Sequence, residues 1–153
     1  MGIICIPFLL LPSKFLKFPT KIWIKLIFIL LENICRIKHK IEGIENVPND
    51  TVIITSKHQS AFETLALYYY LKDCFFVHKK ELFLIPIFGQ YLYKSNMVSI
   101  DRDGGTKTMR KMLEEVRLKL ESGSSIIIFP EGTRKIPGTK PDYKTGFIGI
   151  YKH

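Results

Sequence analysis

A chain of 153 residues, 46% of them hydrophobic, is long enough for one domain with a real core, and nothing in it suggests a second. The formal charge of +9 calls for an anionic partner, whether a nucleic acid, an anionic lipid surface or a phosphorylated substrate, and charge alone does not choose among them. Cys5, Cys35 and Cys74 are widely spaced and form no CxxC pair, so neither a disulfide framework nor a zinc site is indicated, and all three read as reduced apolar fillers.

In chain order, residues 2–12 (GIICIPFLLLP) and 22–31 (IWIKLIFILL) form two apolar runs separated by SKFLKFPTK. Pro12 and Pro19 are expected to break any single helix through them. Each run falls short of the roughly 20 apolar residues that a spanning helix needs. On a helical wheel Lys21, Lys25 and Glu32 share one stripe, while Trp23, Ile24, Ile27, Phe28, Leu30, Leu31 and Ile34 occupy the remainder. That pattern predicts a membrane-associated segment over residues 1–40, with a helix in the interface and lysines reaching toward lipid phosphates. A signal peptide and a buried core helix are the alternatives. The first is disfavoured because the positive charges follow the apolar run and no small-residue cleavage site appears. Myristoylation is disfavoured because Ile6 stands where that motif wants Ser or Thr.

From Ile41 onward strand-like and helix-like segments alternate, which predicts an α/β fold with a mostly parallel sheet flanked by helices. TVIITS (51–56) reads as a buried strand, followed by a loop with His58 and a helix from about Ala61 to Leu71. CFFV (74–77) is the next strand and ends in His78-Lys79-Lys80; NMVSI (96–100) is the third and ends in Asp101-Arg102-Asp103-Gly104-Gly105. Met109, Met112, Leu113, Val116 and Leu120 then recur at helical spacing, with Gly123 as the stop. SIIIF (125–129) is the fourth strand, ending in Pro130-Glu131-Gly132-Thr133-Arg134.

Parallel strands joined by crossover helices deliver their polar loops to one edge of the sheet. His58, Arg102, Glu131 and Arg134 are therefore expected on a common rim, and two guanidinium groups with lysines nearby suit a phosphate. Gly104-Gly105 opening a helix adds backbone donors there. No Walker loop and no GxGxxG motif is present. His58 with Glu63 has the composition of an imidazole base held by a carboxylate. The same stretch, Ser60-Ala61-Phe62-Glu63, also reads as a capping box, and the two readings are compatible. His39, His78 and His153 have no comparable setting and read as surface or partly buried. Taken singly, Arg102 and Arg134 read better as solvated charges or as partners of Asp101 and Glu131; the spacing of four such loops after four strands is what favours the common rim.

KHQSAFETL (57–65), VSIDRDGG (98–105) and FPEGTR (129–134), with KKELFLIPIFGQYL (79–92) between the first two, occur in the order and at intervals that resemble the glycerolipid acyltransferase family. Its members carry an HxxxxD motif, a block ending in IDR and a third block reading FPEGTR. This sequence has Glu63 for the usual Asp, Ser99 where Phe is common and Asn96 where Gly is expected. The resemblance implies an O-acyltransferase domain over 41–153 resembling 1-acylglycerol-3-phosphate acyltransferases. In it His58 would be the general base toward the 2-hydroxyl of lysophosphatidic acid, and Glu63 would hold the imidazole. Arg102, Glu131, Gly132, Thr133, Arg134 and, on charge, Lys80 would bind the acceptor. The donor would be an acyl-CoA or acyl-acyl carrier protein thioester, with no metal, no other cofactor and no nucleic-acid partner. An anionic membrane surface, on the cytoplasmic face of the inner membrane, is the implied location. Absence of a GxSxG elbow agrees with direct transfer rather than an acyl-enzyme. Beyond PDYKTGFIGIYKH the family has a further strand with a proline-containing fourth block, so the resemblance also implies a domain incomplete at its C-terminal end. A non-catalytic membrane-binding remnant, or an acyltransferase acting on glycerol 3-phosphate or another lysophospholipid, are the alternatives.

Overall fold

The structure, a computed structural model, describes residues 8–10, 12–101, 103–144 and 146–151. After a 3₁₀ turn at Ser13–Phe15 come helix α1 (Lys17–Asn33), strand β1 (Ile53–Thr55), α2 (Phe62–Tyr70) and β2 (Cys74–Lys79). They are followed by α3 (Phe88–Lys94), β3 (Val98–Ile100), α4 (Gly105–Glu121), β4 (Ser125–Ile128) and α5 (Gly146–Tyr151). The four strands form one sheet in the order β1-β4-β2-β3, and every pair is parallel. The predicted α/β class is therefore the observed one. β2 runs two residues beyond the expected CFFV because His78 and Lys79 find partners in Ser99 and Ile100 of β3.

Both faces of the sheet are covered, which is why β4 carries three successive isoleucines after Ser125 and all four of its residues are buried. Period-two alternation sorts the strands between two clusters. Cys74, Phe76 and Ile127 join Ile24, Phe28, Tyr68 and Leu71 of the α1–α2 layer. Phe75, Val98, Ile126 and Ile128 join Met112, Val116 and Ile150 of the α4–α5 layer. Burying side chains such as Ile24 and Ile127, each 1% exposed, stabilises the fold by about 1.5–3 kcal/mol apiece. Gly123, at φ +90°, ends α4 as expected, with its N–H and that of Ser124 donating to Leu120 and Lys119 carbonyls.

Two expectations need correction. No single helix runs through both apolar segments among the described residues, as expected, but Pro19 is not what breaks it: it is the third residue of α1, where the missing N–H would have had no helical partner. Cys35 is exposed and is no apolar filler, whereas Cys74 is buried and its thiol is pushed up to about 11 by that burial; Cys5 and His153 lie outside the described residues. α1 itself is two-sided. Its inner stripe, Ile24 and Phe28, belongs to the core, while Phe18, Ile22, Leu26, Ile29 and Leu30 are exposed on the far side. No helix among the described residues is long and apolar enough to cross a membrane.

The segment after β2 turns back through a 3₁₀ helix at Lys80–Leu84 and a tight bend at Ile87, whose φ of 66° is unusual for a β-branched residue. The bend brings Gly89 onto the backbone of Phe83, where an added Cβ would sit 2.1 Å from the Phe83 carbonyl oxygen. Nothing but backbone would have to yield. Gly89→Ala is accordingly expected to cost about 1–3 kcal/mol of stability, read as a lower urea midpoint with unchanged slope; an unaltered midpoint would disprove the close approach.

Candidate active site

The loop after β1 leads to α2 on one face of the sheet, and the loop after β4 leads toward α5 on the other, where α5 packs on α4. Neighbouring strands whose loops depart to opposite faces leave a crevice at their carboxyl ends, the usual place for a ligand in open α/β sheets. His58 and Glu131 occupy it. Ser56 N–H continues the ladder by donating to the Ile128 carbonyl at 3.0 Å, so the two loops start in register. They stay tied: His58 N–H donates to Oε2 of Glu131 at 3.3 Å, and Lys135 N–H donates to the His58 carbonyl at 2.9 Å. The backbone of His58 is thus held from both sides by the FPEGTR loop.

The imidazole is held as firmly. Nδ1 of His58 lies 2.7 Å from Oε1 of Glu63. Glu63 also accepts from Gln59 N–H at 2.9 Å, from Ser60 N–H at 2.9 Å and from the Ser60 hydroxyl at 2.6 Å. Burial acts to raise the Glu63 carboxyl, but the hydrogen bonds from Ser60 and His58 outweigh it and hold the group at about 2. An ionised carboxylate cannot donate, so in the neutral ring Nδ1 carries the proton and Nε2 the lone pair, the tautomer a general base requires. The imidazole also stacks on Phe129, with ring centroids 4.2 Å apart and planes 21° from parallel, and Phe129 stacks in turn on Phe76 at 5.9 Å. Both the tether and the flat wall fix the ring plane.

The capping-box and base-holding readings of Ser60 to Glu63 both describe what is there. Glu63 reaches back to Ser60 N–H as a capping glutamate does, and the same oxygens receive His58. The helix boundary is one residue later than expected, because Ala61 occupies the cap position and Ser60 instead accepts Phe62 N–H at 2.9 Å. Ser60→Ala removes one charge-assisted bond from Glu63, and we expect kcat to fall by about tenfold with little change in KM. An unchanged kcat would show that the hydroxyl is irrelevant to the ring's orientation.

The remaining predicted residues are placed less uniformly. Glu131 is 1% exposed and has Oε1 without a partner, so its visible work is to hold the His58 loop from below. Gly132 adopts φ +64° in the turn that closes with its N–H on the Phe129 carbonyl, a conformation that a side chain would strain. Thr133 and Arg134 are exposed next to Lys135, and Arg134 forms no ion pair with Glu131. Lys80 reaches Asp101 across the β2–β3 rim at 3.5 Å. Arg102 lies outside the described residues. His78 and His39 stand apart from the site: His78 is half-buried and pushed down by burial, and His39 bonds the Tyr70 hydroxyl at 2.8 Å. Sequence reasoning missed Phe129 as the wall beneath the imidazole and Ser60 as a donor to Glu63. Both lie inside the motifs that were singled out, but only contact distances reveal the roles.

A family model described as Acyltransferase matches residues 38–152. Among curated relatives, a 1-acyl-sn-glycerol-3-phosphate acyltransferase of Pseudomonas aeruginosa is 30% identical over 130 residues, covering 85% of this chain and 51% of the relative. The chloroplastic 1-acyl-sn-glycerol-3-phosphate acyltransferase LPAT1 of Arabidopsis thaliana is 32% identical over 150 residues, covering 94% of this chain and 40% of the relative. The crystal structure of the 1-acyl-sn-glycerophosphate (LPA) acyltransferase PlsC of Thermotoga maritima superposes with a TM-score of 0.69 at 25% identity, covering 92% of this chain and 54% of that one. The chain thus spans about half the length, or less, of these relatives.

Proposed function

The chain belongs to the acyltransferase family, and from that premise we propose that it transfers an acyl group from a thioester to the 2-hydroxyl of lysophosphatidic acid, giving phosphatidic acid for phospholipid synthesis. The observation that carries this reading is the His58–Glu63 contact at 2.7 Å in the crevice between β1 and β4. Nε2 of His58 takes the proton of the acceptor hydroxyl as its oxygen bonds to the thioester carbonyl carbon. The carbon–sulfur bond then breaks, and the imidazolium returns the proton to the departing thiolate. Glu63 stays ionised throughout and offsets the charge on the ring. Arg102, Gly132, Thr133, Arg134 and Lys80 are the groups we assign to the acceptor phosphate. Glu131 acts through the His58 backbone and is a positioning residue.

The donor is an acyl-CoA or acyl-acyl carrier protein. An apolar-walled cavity of about 560 Å³ bounded by Leu9, Phe83, Gly89, Gln90, Tyr93 and Lys94 adjoins the segment after β2 and supplies room for an acyl chain. The exposed face of α1, with Phe18, Ile22, Leu26 and Ile29 bordered by Lys25, is the surface we assign to an anionic membrane, on the cytoplasmic side of the inner membrane. The names of the relatives favour lysophosphatidic acid as acceptor. The test is a product assay with labelled lysophosphatidic acid and each thioester, competed by glycerol 3-phosphate and by a lysophospholipid lacking the phosphomonoester. Phosphatidic acid is the expected product. Faster turnover of either competitor would replace the acceptor assignment, and no thioester-dependent product from any of the three would remove the activity.

A further inference from the structure

At the edge of the sheet opposite His58, where β2 begins, the start of α1 meets the end of α2. There Lys17, Lys21, Lys72 and Asp73 surround a cavity of about 190 Å³ whose floor is Tyr68, Leu71 and Cys74. We propose that this basic corner is a binding site for the phosphate of an anionic bilayer phospholipid, separate from the acceptor site and used to seat the protein on the membrane. The inference rests on the membrane association proposed for α1.

Three observations support it. First, the charges do not balance. Three lysines face one carboxylate: Lys17 pairs with Asp73, and Lys21 and Lys72 act on the same carboxyl, which the Lys17 hydrogen bond first and the other lysines further hold below its ordinary value. Lys21 donates only a long 3.4 Å bond to the Leu71 carbonyl, so two cations stay uncompensated beside the cavity. Second, the floor offers a neutral donor. Tyr68 is 8% exposed and its hydroxyl, pushed up to about 12 by burial and by Cys74 and Asp73, keeps its proton at any working pH. Ammonium groups over a phenolic O–H form a donor set for phosphate oxygens rather than for a carbonyl or a cation. Third, the corner is continuous with the apolar outer face of α1. Lys21 and Lys25 lie along the border between the buried stripe and exposed Phe18, Ile22 and Leu26, so a phosphate in the corner and acyl chains along the helix belong to one lipid layer. An acidic protein surface would match the lysines but not the apolar face beside them.

The test uses the whole chain in flotation with phosphatidylcholine vesicles, with and without phosphatidic acid. Lys21→Gln with Lys72→Gln should weaken binding to the anionic vesicles by about 30-fold, the effect of two lysines near a charged surface. Lys107→Gln with Lys111→Gln makes the same charge change on α4, on the opposite face of the sheet, and should weaken it by less than about threefold. Asp73→Asn, at a φ of 37° that asparagine tolerates, should tighten binding about fivefold by freeing Lys17. Equal losses in both double variants would reduce the effect to net charge and overturn the site. No loss in Lys21→Gln with Lys72→Gln would overturn it too, leaving the apolar face alone responsible. Weaker capture of acyl carrier protein with unchanged flotation would make the corner a protein-docking surface instead. Wild-type protein that floats with neither vesicle would sink the membrane reading itself, a different result from wild-type flotation insensitive to the corner. Transfer to a short-chain water-soluble acceptor without vesicles should be unchanged in the double variant, separating the corner from the chemistry.

Discussion

His58→Ala is expected to lower thioester-dependent acyl transfer by about 10²- to 10⁴-fold, the share of a barrier that one positioned base supplies. The variant removes the only part of His58 that the chemistry uses. Its N–H bond to Glu131 and its carbonyl bond from Lys135 involve backbone atoms, so the crossing of the two loops survives the substitution. What is lost structurally is the stack on Phe129, at a ring-centroid separation of 4.2 Å, and the ring's hydrogen bond to Glu63, which keeps its donors from Gln59 and Ser60. The fold should therefore persist, and His58→Gln, which refills most of the volume, provides the control. Initial rates, thermal midpoint and vesicle flotation should be measured on both. A fall in rate with the midpoint and flotation held marks loss of the base. If either variant kept turnover within about tenfold of wild type, the proton would have to leave by another route and the mechanism proposed here would be wrong.

Glu63→Gln should be nearly as damaging, by about 10²- to 10⁴-fold in kcat, although it changes neither size nor shape appreciably. Four donors converge on this carboxylate: Nδ1–H of His58, the N–H groups of Gln59 and Ser60, and the Ser60 hydroxyl. An amide has one acceptor oxygen to divide among them, and its NH₂ must face one of the donors or His58. If it faces His58, Nδ1 becomes the acceptor and the proton moves to Nε2, which then has no lone pair for the substrate. Glu63→Asp should lose far less, because the charge and all acceptor sites remain and only the reach shortens by one methylene. The order wild type, Asp, Gln in kcat, with KM little changed, is the signature; an Asp variant as poor as Gln would place the effect in packing rather than in charge.

The same carboxyl sets a pH window. Its folded value of about 2 lies below the ordinary 4.5, so deprotonation is coupled to folding. The stability it contributes is complete above about 4.5 and is lost as pH falls from there toward 2. Urea midpoints over that range should fall less steeply with acidity in Glu63→Gln than in wild type. Parallel curves would mean that Glu63 titrates alike in the folded and unfolded chain.

Much of the site was legible in the letters because its parts are local or punctuate strands. Glu63 lies five residues after His58, a separation that a loop and the first turn of a helix can close, and the 2.7 Å contact is the result. The parallel topology followed from alternation of short apolar runs with helical ones, and it delivers His58, Lys80 and Glu131 to the carboxyl ends of β1, β2 and β4. Other features were not legible. Pro19 looked like a break because proline's effect depends on whether it falls in the first turn of a helix or later, and that position is set by where Leu16 finds burial. Cys35 and Cys74 are the same residue type, yet one is exposed and the other buried.

By itself, then, the amino-acid sequence determined the chemistry on offer: an imidazole with a carboxylate at a reachable interval, an FPEGTR block directly after an apolar strand, and a lysine-bearing apolar segment near the N-terminus. Only the tertiary structure decided that β4 inserts between β1 and β2, which puts Phe129 against the imidazole and Glu131 under the His58 backbone. It also decided that Lys17 and Lys21 of α1 share one corner with Lys72, far along the chain just before β2. The reason is physical. Propensity, capping and periodicity act over a few residues, whereas strand order and the pairing of distant side chains are settled by which apolar faces can be buried together, a property of the whole chain.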